Sequence, residues 1–224
     1  KTAYRRLRRH LGTTLINVTG LAVGVAVCVL FGTLAWTLLT WDAFHPEVDR
    51  LYRVHADMKT ASGWQRANTW GPTLRELRRT YPSVETGTRV WSVGQRVTPT
   101  AAAETGASTA GRRVFEESVD YVDTTFYQVM GFTLATGDPA TVLDRPDAAV
   151  LTQEKARAYF GDQNPIGKTL TLDGQSTVTV TGVAHTPPAN TTFQPNVVVN
   201  IAHAQQNNVN NIRGSLAEWG SSFL

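Results

Sequence analysis

The apolar stretch Leu15–Trp41, LINVTGLAVGVAVCVLFGTLAWTLLTW, contains no charged residue, and the charge-free run begins at Leu11. As a helix rising about 1.5 Å per residue, this stretch would be roughly 40 Å long, more than the roughly 30 Å hydrocarbon core of a bilayer. A cleaved signal peptide would have an apolar core of only about 7–15 residues before a small-x-small site, and no Ala-x-Ala follows here. The sequence therefore predicts a transmembrane helix over 15–41.

Small residues recur every four positions along this predicted helix, and they form one stripe: Gly20, Gly24, Cys28 and Gly32. Small residues let a second helix approach closely in lipid, where packing drives helix association. The stripe predicts a helix-packing face. The alternative is coincidence, because glycine is frequent in membrane helices.

Positive charge is concentrated ahead of the apolar stretch. The chain has a net charge of +3, and five of its positive charges lie within the first nine residues: Lys1, Arg5, Arg6, Arg8 and Arg9. Without these five, the net charge of the remaining chain is −2. A slightly acidic remainder does not fit a nucleic-acid-binding body. The positive-inside rule predicts a cytoplasmic tip over 1–14 and a non-cytoplasmic chain after Asp42.

The two ends of the predicted span carry interface anchors. At one end they are the arginines Arg5, Arg6, Arg8 and Arg9, and at the other they are the aromatic Trp36 and Trp41. One helical face of the tip is apolar, with Tyr4, Leu7, Leu11 and Leu15. This pattern fits an amphipathic helix lying on anionic headgroups, and it equally fits an ordinary stop-transfer charge cluster.

The remainder of the chain, 42–224, alternates short strand and helix patterns, which predicts a mixed α+β extracytoplasmic domain. Strands are expected over 51–58, 84–97, 114–122, 148–151 and 193–201, and helices over 73–82, 124–132 and 153–160. Residues 98–110 are expected to form a loop, and the tail turns helical from Ser215. Since Cys28 is the single cysteine, the domain cannot rely on an intrachain disulfide.

Local signals mark several element ends. Asp123 and Thr152 are predicted N-caps, and Gly161 is a predicted helix C-terminus. Asp173-Gly174 between two alternating runs predicts a hairpin turn.

The sequence contains no catalytic, cofactor-binding or metal-binding site that can be assigned from pattern. Asp42, His45, Glu47 and Asp49 cluster beyond the span, but their spacing matches no standard zinc site, and a solvated junction is the simpler interpretation. The segment 161–169, GDQNPIGKT, differs from a phosphate-binding loop in its glycine spacing and in lying between a helix and a strand.

Five stretches in this order resemble a known family: AYRRLRRHLGTTLINVTGLAVGVAVC (3–28), WDAFHPEVDRLYRV (41–54), VDTTFYQVMGFTLATGDPATVL (122–143), AVLTQEKARAYFGDQNPIGKTLTLDG (149–174) and TVTGVAHTPPANTTF (179–193). Together they resemble the start and the periplasmic core domain of MacB/FtsX-like ABC-transporter permeases. The resemblance implies a bacterial cytoplasmic-membrane protein with its main domain periplasmic or extracellular.

The resemblance also implies a mechanism and partners. Such permeases have four membrane helices, dimerise with a second copy or a paralogue, and pair with a cytoplasmic ATPase that binds ATP and Mg. Motion of the membrane helices is transmitted to the outer domain for export or release of substrate, which is called mechanotransmission, and a periplasmic adaptor or substrate protein is a further partner. The chain itself would be no enzyme and would hold no cofactor.

The resemblance further divides the outer domain into a membrane-proximal part, 51–95 with 145–200, and a distal part, 96–144. The junction that passes motion outward would comprise Asp42, Phe44, His45, Asp49 and Arg50. Because the chain stops at Leu224, before any later membrane helix, we expect a fragment of such a permease.

Two other functions also fit the residues alone. A sensor with an extracytoplasmic ligand-binding domain would start with the same basic tip, span and α+β domain. An anchored extracytoplasmic enzyme would share this plan as well, but it would need a site, and no GxSxG, HExxH or CxxC motif occurs.

Overall fold

The computed structural model describes residues 11–45, 48–60, 63–67, 73–100, 113–207 and 221–223. The chain divides into two compact units, and the boundary along the sequence falls between Phe44 and His45. We call the second unit, His45–Leu224, the folded domain.

The first unit consists of one long helix, α1 (Leu11–Leu39). Its part Gly12–Leu39 has a mean hydropathy of 2.2 and is long and apolar enough to cross a membrane by length and composition. The helix begins before the predicted 15–41 and ends earlier, so that Trp41 lies in the turns that follow. In these turns Asp42 has φ 57°, a left-handed conformation that aspartate tolerates better than most residues.

The folded domain mixes short helices and strands, which confirms the predicted α+β class. In chain order they are a 3-10 turn (Val48–Arg50), β1 (Arg53–Val54), β2 (Ala56–Thr60), β3 (Gly63–Ala67), α2 (Thr73–Thr80), β4 (Thr88–Pro99), β5 (Phe115–Val122), α3 (Phe126–Met130), β6 (Leu134–Thr136), β7 (Ala148–Thr152), α4 (Gln153–Phe160), β8 (Thr169–Leu172), β9 (Ser176–Ala184), β10 (Val197–Asn200), α5 (Ile201–Gln206) and β11 (Ser221–Phe223).

Six of the strands close into a ring in the order β4-β5-β10-β7-β9-β8. The ring closes where β8 pairs antiparallel with β4, with Val97 opposite Leu172. Strands β11 and β1 extend it beyond β4, and β6 extends it beyond β9. Strands β2 and β3 form a separate hairpin.

The interior of the ring is the main hydrophobic core. Because side chains alternate across a strand, every second residue points inward. Val119 and Tyr121 of β5, Val197 of β10 and Leu151 of β7 are all fully buried there. Tyr159 and Phe160 of α4 belong to the same cluster.

The opposite face of β7, β9 and β10 is covered by the segment 137–145. Thr181 donates its hydroxyl hydrogen to the carbonyl of Val142 (2.7 Å), and the Asn200 amide donates to the carbonyl of Leu143 (2.7 Å). A Cβ added to Gly182 would lie 2.4 Å from a methyl group of Val142, so the close approach requires glycine. Strands β7 and β10 are therefore buried on both faces.

Most local predictions are confirmed. The Thr152 hydroxyl accepts a hydrogen bond from the backbone N–H of Lys155 (3.3 Å) and caps α4, which ends at Gly161 with φ 63°. Asp173 and Gly174 have φ 50° and 70°, as the predicted hairpin turn between β8 and β9 requires. Helix α2 lies within the predicted 73–82.

Three local predictions are wrong. Asp123 does not cap α3, because its carboxylate binds Arg89 instead. The strand predicted over 193–201 is limited to β10, because the Asn200 side chain accepts from the N–H of Ala202 and starts a helix. The strand predicted over 51–58 is two strands, β1 and β2, in different sheets.

The predicted loop 98–110 lies partly outside the described residues, since β4 reaches Pro99 and 101–112 are not described. The helix predicted from Ser215 also lies outside them. The division into membrane-proximal and distal subdomains stays a prediction, although β4 runs through its boundary between residues 95 and 96.

Candidate functional site: the start of the folded domain

The folded domain begins with a histidine that is buried. His45 is 7% exposed, although it stands in a turn where polar residues normally face water. It directly follows the first unit, so any force transmitted along the chain enters the folded domain here.

His45 is held by the last residue of α3. Its Nδ1 lies 2.6 Å from the carbonyl oxygen of Met130. A carbonyl only accepts hydrogen bonds, so Nδ1 carries the hydrogen in this contact. The final carbonyls of a helix have no partner within the helix, and His45 therefore caps the C-terminus of α3.

The His45 ring also joins an aromatic group. It meets Phe132 edge-on, with ring centroids 5.5 Å apart, and Phe132 stacks on Phe126 at 5.7 Å. Phe193, which precedes β10, meets Phe126 at 5.9 Å and Phe132 at 6.4 Å. Such pairs add about 0.5–1.5 kcal/mol each to the burial of their area. We call His45, Phe126, Met130, Phe132 and Phe193 the junction cluster.

Helix α3 is in turn fixed to the ring of strands. At the end of β5, the Asp123 carboxylate accepts from the Arg89 guanidinium (2.6 and 2.9 Å) and from the Arg89 backbone N–H (2.8 Å). The Thr125 hydroxyl donates to the carbonyl of Gly87 (2.7 Å). The hydrogen bonds from Arg89 to Asp123 raise the pKa of the Arg89 guanidinium. The junction cluster is thus connected to β4 and β5 by charge-assisted hydrogen bonds, which are stronger than neutral ones.

A buried carboxyl lies on the strand that leads into α3. Asp120 of β5 is 3% exposed, and it accepts a hydrogen bond from the hydroxyl of Ser92 on β4. Burial raises the pKa of Asp120 to about 7, and the Ser92 hydrogen bond lowers it only in part. The Asp120 charge in turn helps to raise the pKa of Tyr127 on α3, although burial of that phenol is the larger cause.

An open groove of about 420 Å³ lies beside the junction cluster in the folded domain. It is lined by Arg50, Leu51, Tyr52, residues 83–86, Gln128 and Val129. Across it Arg50 and Glu85 form an ion pair at 2.6 Å, but both side chains are more than half exposed. Exposed pairs of this kind contribute little, typically below about 1 kcal/mol.

The predicted junction residues have different surroundings. His45 is in the junction cluster and Arg50 is in the ion pair with Glu85, whereas Asp49 is exposed. Asp42 and Phe44 belong to the first unit and are half-buried. Their role in passing motion stays a prediction.

The predicted membrane residues lie along α1 and beyond it. The glycines of the stripe, Gly20, Gly24 and Gly32, have no atom within 4 Å of an added Cβ, and Cys28 is exposed. Trp36 and Trp41 are exposed as well. The anchors Arg5, Arg6, Arg8 and Arg9 lie outside the described residues.

The described residues contain no group of three or more His, Cys, Asp or Glu that could hold a metal ion. Segment 161–169 forms the turn between α4 and β8, with the N–H of Gly167 bound to the carbonyl of Val180 (2.8 Å). The Lys168 ammonium lies 4.9 Å from the centre of the Phe160 ring. The lysine thus packs on the domain itself.

Sequence reasoning missed the residues that anchor His45. Met130 contributes only its backbone carbonyl, which no side-chain pattern reveals. Asp120 offered one available signal, since it is a charged residue within the otherwise apolar run VDYV, residues 119–122. The ion pair between Arg89 and Asp123 joins residues 34 apart in sequence, and no local sequence pattern predicts a contact at that separation.

Several solved structures share this fold. Three of them are a domain of a putative permease protein from Porphyromonas gingivalis (18% identity, 80% of this chain and 73% of that one, TM-score 0.58), the periplasmic region of MacB from Actinobacillus actinomycetemcomitans (16%, 78% and 73%, 0.51) and the extracellular domain of the noncanonic ABC-type transporter YknZ from Gram-positive bacteria (14%, 78% and 81%, 0.51). At these identities the likeness concerns the fold alone.

A search of curated proteins gives no significant match. A family profile, described as the MacB-like periplasmic core domain, matches residues 14–218 and so covers most of the chain, including much of α1 and nearly all of the folded domain. The resemblance found in the sequence is thereby confirmed. The chain belongs to the MacB-like periplasmic core domain family.

Proposed function

We propose that this chain is the part of an ABC-transporter permease that transmits ATP-driven motion of membrane helices to an extracytoplasmic domain for export or release of substrate. Its family makes it a transporter permease component and a membrane protein with an extracytoplasmic domain. The family is not itself enzymatic, and the proposal assigns ATP and Mg binding to a separate cytoplasmic ATPase.

The observation that carries the proposal is the burial of His45. A flexible tether would leave the first residue of the folded domain solvated, whereas His45 is held by Met130 and Phe132. Displacing His45 would break a hydrogen bond and expose aromatic surface, so a pull on the chain moves α3 with it. Rigid packing of this kind favours transmission of motion, because packed groups shift together.

The path continues from α3 into the strands. The Arg89–Asp123 pair and the Thr125–Gly87 hydrogen bond connect α3 to the start of β4. Strand β4 belongs to the closed ring, whose core is packed throughout. The ring would therefore respond as one body.

In the proposal the membrane helices of two permease copies, or of a copy and a paralogue, pack through the stripe Gly20, Gly24, Cys28 and Gly32. The basic tip faces the cytoplasm and the ATPase. A periplasmic adaptor or substrate protein would meet the folded domain. These partners follow from the family resemblance.

The test uses the full-length permease reconstituted with its ATPase, with Cys28→Ala and a spin label at Gln175→Cys in the β8–β9 turn. ATP should change the distance between the labels of the two copies in the otherwise unsubstituted protein. In His45→Ala this change should be lost while ATP hydrolysis continues. His45→Asn should restore it, because the asparagine amide can replace the Nδ1–H donor.

His185→Ala is the matched control, since His185 is an exposed histidine at the end of β9. It should behave like the unsubstituted protein. The proposal is wrong if ATP produces no distance change in the unsubstituted permease, or if His45→Ala responds to ATP normally.

A further inference from the structure

The first quarter of the folded domain has a net positive charge, and the rest of the domain has a net negative charge. Residues 45–86 contain seven Lys or Arg and five Asp or Glu, a net +2, whereas residues 87–224 contain nine and twelve, a net −3. Large parts of the domain are thus acidic while one region is basic. A basic region on an otherwise acidic domain indicates an anionic partner.

Helix α2 presents this charge to solvent. Leu74 is buried and Leu77 half-buried, so they hold one side of the helix to the domain. Arg75, Arg78 and Arg79 are exposed. Arg79 has only a long contact with Glu76 (3.9 Å), and Arg75 and Arg78 form no ion pair in the part of the chain that the structure describes.

Exposed aromatic rings accompany these arginines. Tyr81 directly follows α2 and is 55% exposed, and Tyr52 in the groove is 65% exposed. Together with Val48, they are three of the four exposed large apolar residues among those of the folded domain whose burial is described. Tyrosine and arginine together are typical of membrane–water interfaces, where the ring enters the headgroup layer and the guanidinium meets phosphate.

We name Val48, Arg50, Tyr52, α2 and Tyr81 the basic face. The two parts of this face are neighbours in the structure. The turn after α2 is closed by a hydrogen bond from the N–H of Val84 to the carbonyl of Tyr81 (3.0 Å), and Val84 lines the same groove as Arg50. Covalent geometry limits Val48, seven residues beyond Trp41, to within about 25 Å of that tryptophan. The face is therefore tethered within reach of the bilayer surface.

We propose that the basic face binds anionic phospholipid headgroups of the bilayer that α1 crosses. Arginines would pair with the phosphates while Tyr52 and Tyr81 enter the headgroup layer. Such binding would orient the domain on the membrane and depend on lipid charge and on salt. It rests on the membrane segment and does not depend on mechanotransmission.

The test places the whole chain in nanodiscs of phosphatidylcholine, with or without phosphatidylglycerol. With Cys28→Ala in the background, Ser83→Cys in the groove carries a fluorophore, and a headgroup-labelled lipid quenches it. Quenching should be severalfold stronger with phosphatidylglycerol. It should fall to the phosphatidylcholine level in about 1 M salt, where the Debye length is about 3 Å.

Substitution of Arg75, Arg78 and Arg79 by Gln should abolish the lipid-dependent quenching. The matched control replaces Arg96, Arg145 and Arg157, which are also exposed, by Gln and should leave it unchanged. A fluorophore at Gln175→Cys should be quenched weakly in both lipids. The proposal would be overturned by equal quenching at residue 83 in both lipids, or by lipid-dependent quenching that persists when Arg75, Arg78 and Arg79 are replaced by Gln. It would also be overturned if quenching occurred only in discs that hold two chains.

These outcomes are separable from the proposed function. Headgroup binding is measured without ATP and without an ATPase, whereas the His45 experiment measures a response to ATP. Either result can fail while the other holds.

Discussion

Helix α1 and the six-stranded ring are both rich in valine and leucine, but they place these side chains in opposite surroundings. Leu21 of α1 is 71% exposed, and Leu151 of β7 is fully buried. The ring encloses its apolar side chains by closing on itself, whereas the helix can bury its own only in lipid or against other helices. The folded domain thus contains its own core, while α1 depends on its surroundings.

The same deletion in the two regions should give the largest difference. Leu151→Ala leaves a cavity in the packed core and should lower the free energy of unfolding of the folded domain by about 2–5 kcal/mol. Leu21→Ala should leave that free energy unchanged, because Leu21 contacts no core. Urea unfolding of the whole chain in detergent, followed by near-ultraviolet circular dichroism, measures both. Equal effects would show that the two regions unfold as one.

The next largest effect is the pH dependence of stability. It is expected for the folded domain, which contains the buried carboxyl of Asp120, but not for α1, which has no charged residue. The folded-state pKa of Asp120, about 7, lies above the roughly 3.9 of an unfolded chain, so folding favours the protonated form. The stability from this group is present at low pH and is lost as pH rises towards and through 7. Asp120→Asn lacks this loss, so its stability relative to the unsubstituted protein should rise between pH 5 and 8, by about 2–3 kcal/mol.

Unfolding at several pH values measures this difference. Tyr127 is the titratable group that faces Asp120, and it stays neutral because its own pKa is raised. The pKa of His203 is lowered by burial, but His203 is present in both proteins, so its contribution cancels. A difference that does not vary with pH would contradict the assignment.

Glycines give the smallest effect. Gly182→Ala should destabilise the folded domain by about 1–3 kcal/mol, because the new methyl group overlaps the Val142 side chain. Gly24→Ala should not change the unfolding of the domain, since an added Cβ there has no described atom of another segment within 4 Å. The larger Gly24→Leu should instead weaken association between copies of the full-length permease, measured by cross-linking in membranes. Unchanged association would exclude the stripe as a packing face.

The features predicted correctly from sequence are those that neighbouring residues decide. The Thr152 cap and the Asp173-Gly174 turn each need only backbone groups within three residues. The long apolar helix α1 was predicted because a run of about 20 consecutive apolar residues is typical of a helix. In all three cases the deciding interaction is made either with residues close in sequence or with the surrounding solvent or lipid.

The wrong predictions share the opposite property. Asp123 has the character of an N-cap, but a guanidinium from β4 binds its carboxylate more strongly than the backbone N–H groups of α3 would. The strand predicted over 193–201 ends at Asn200, whose side-chain oxygen accepts from the N–H of Ala202 and starts a helix, while its amide donates to the carbonyl of Leu143 in a distant segment. At Asp123 a distant partner overrode the local signal, and at Asn200 a distant partner holds the side chain that starts the helix.

By itself the sequence determined the long apolar helix, the α+β class and the family, because apolar length, residue alternation and motif order are properties of neighbouring residues. Only the tertiary structure decided that six strands close into a ring, that His45 is buried against Met130, and that Asp120 lies in an environment that shifts its pKa. Each of these depends on groups brought together by folding, and burial, which sets both packing energy and the cost of charge, exists only once they have met.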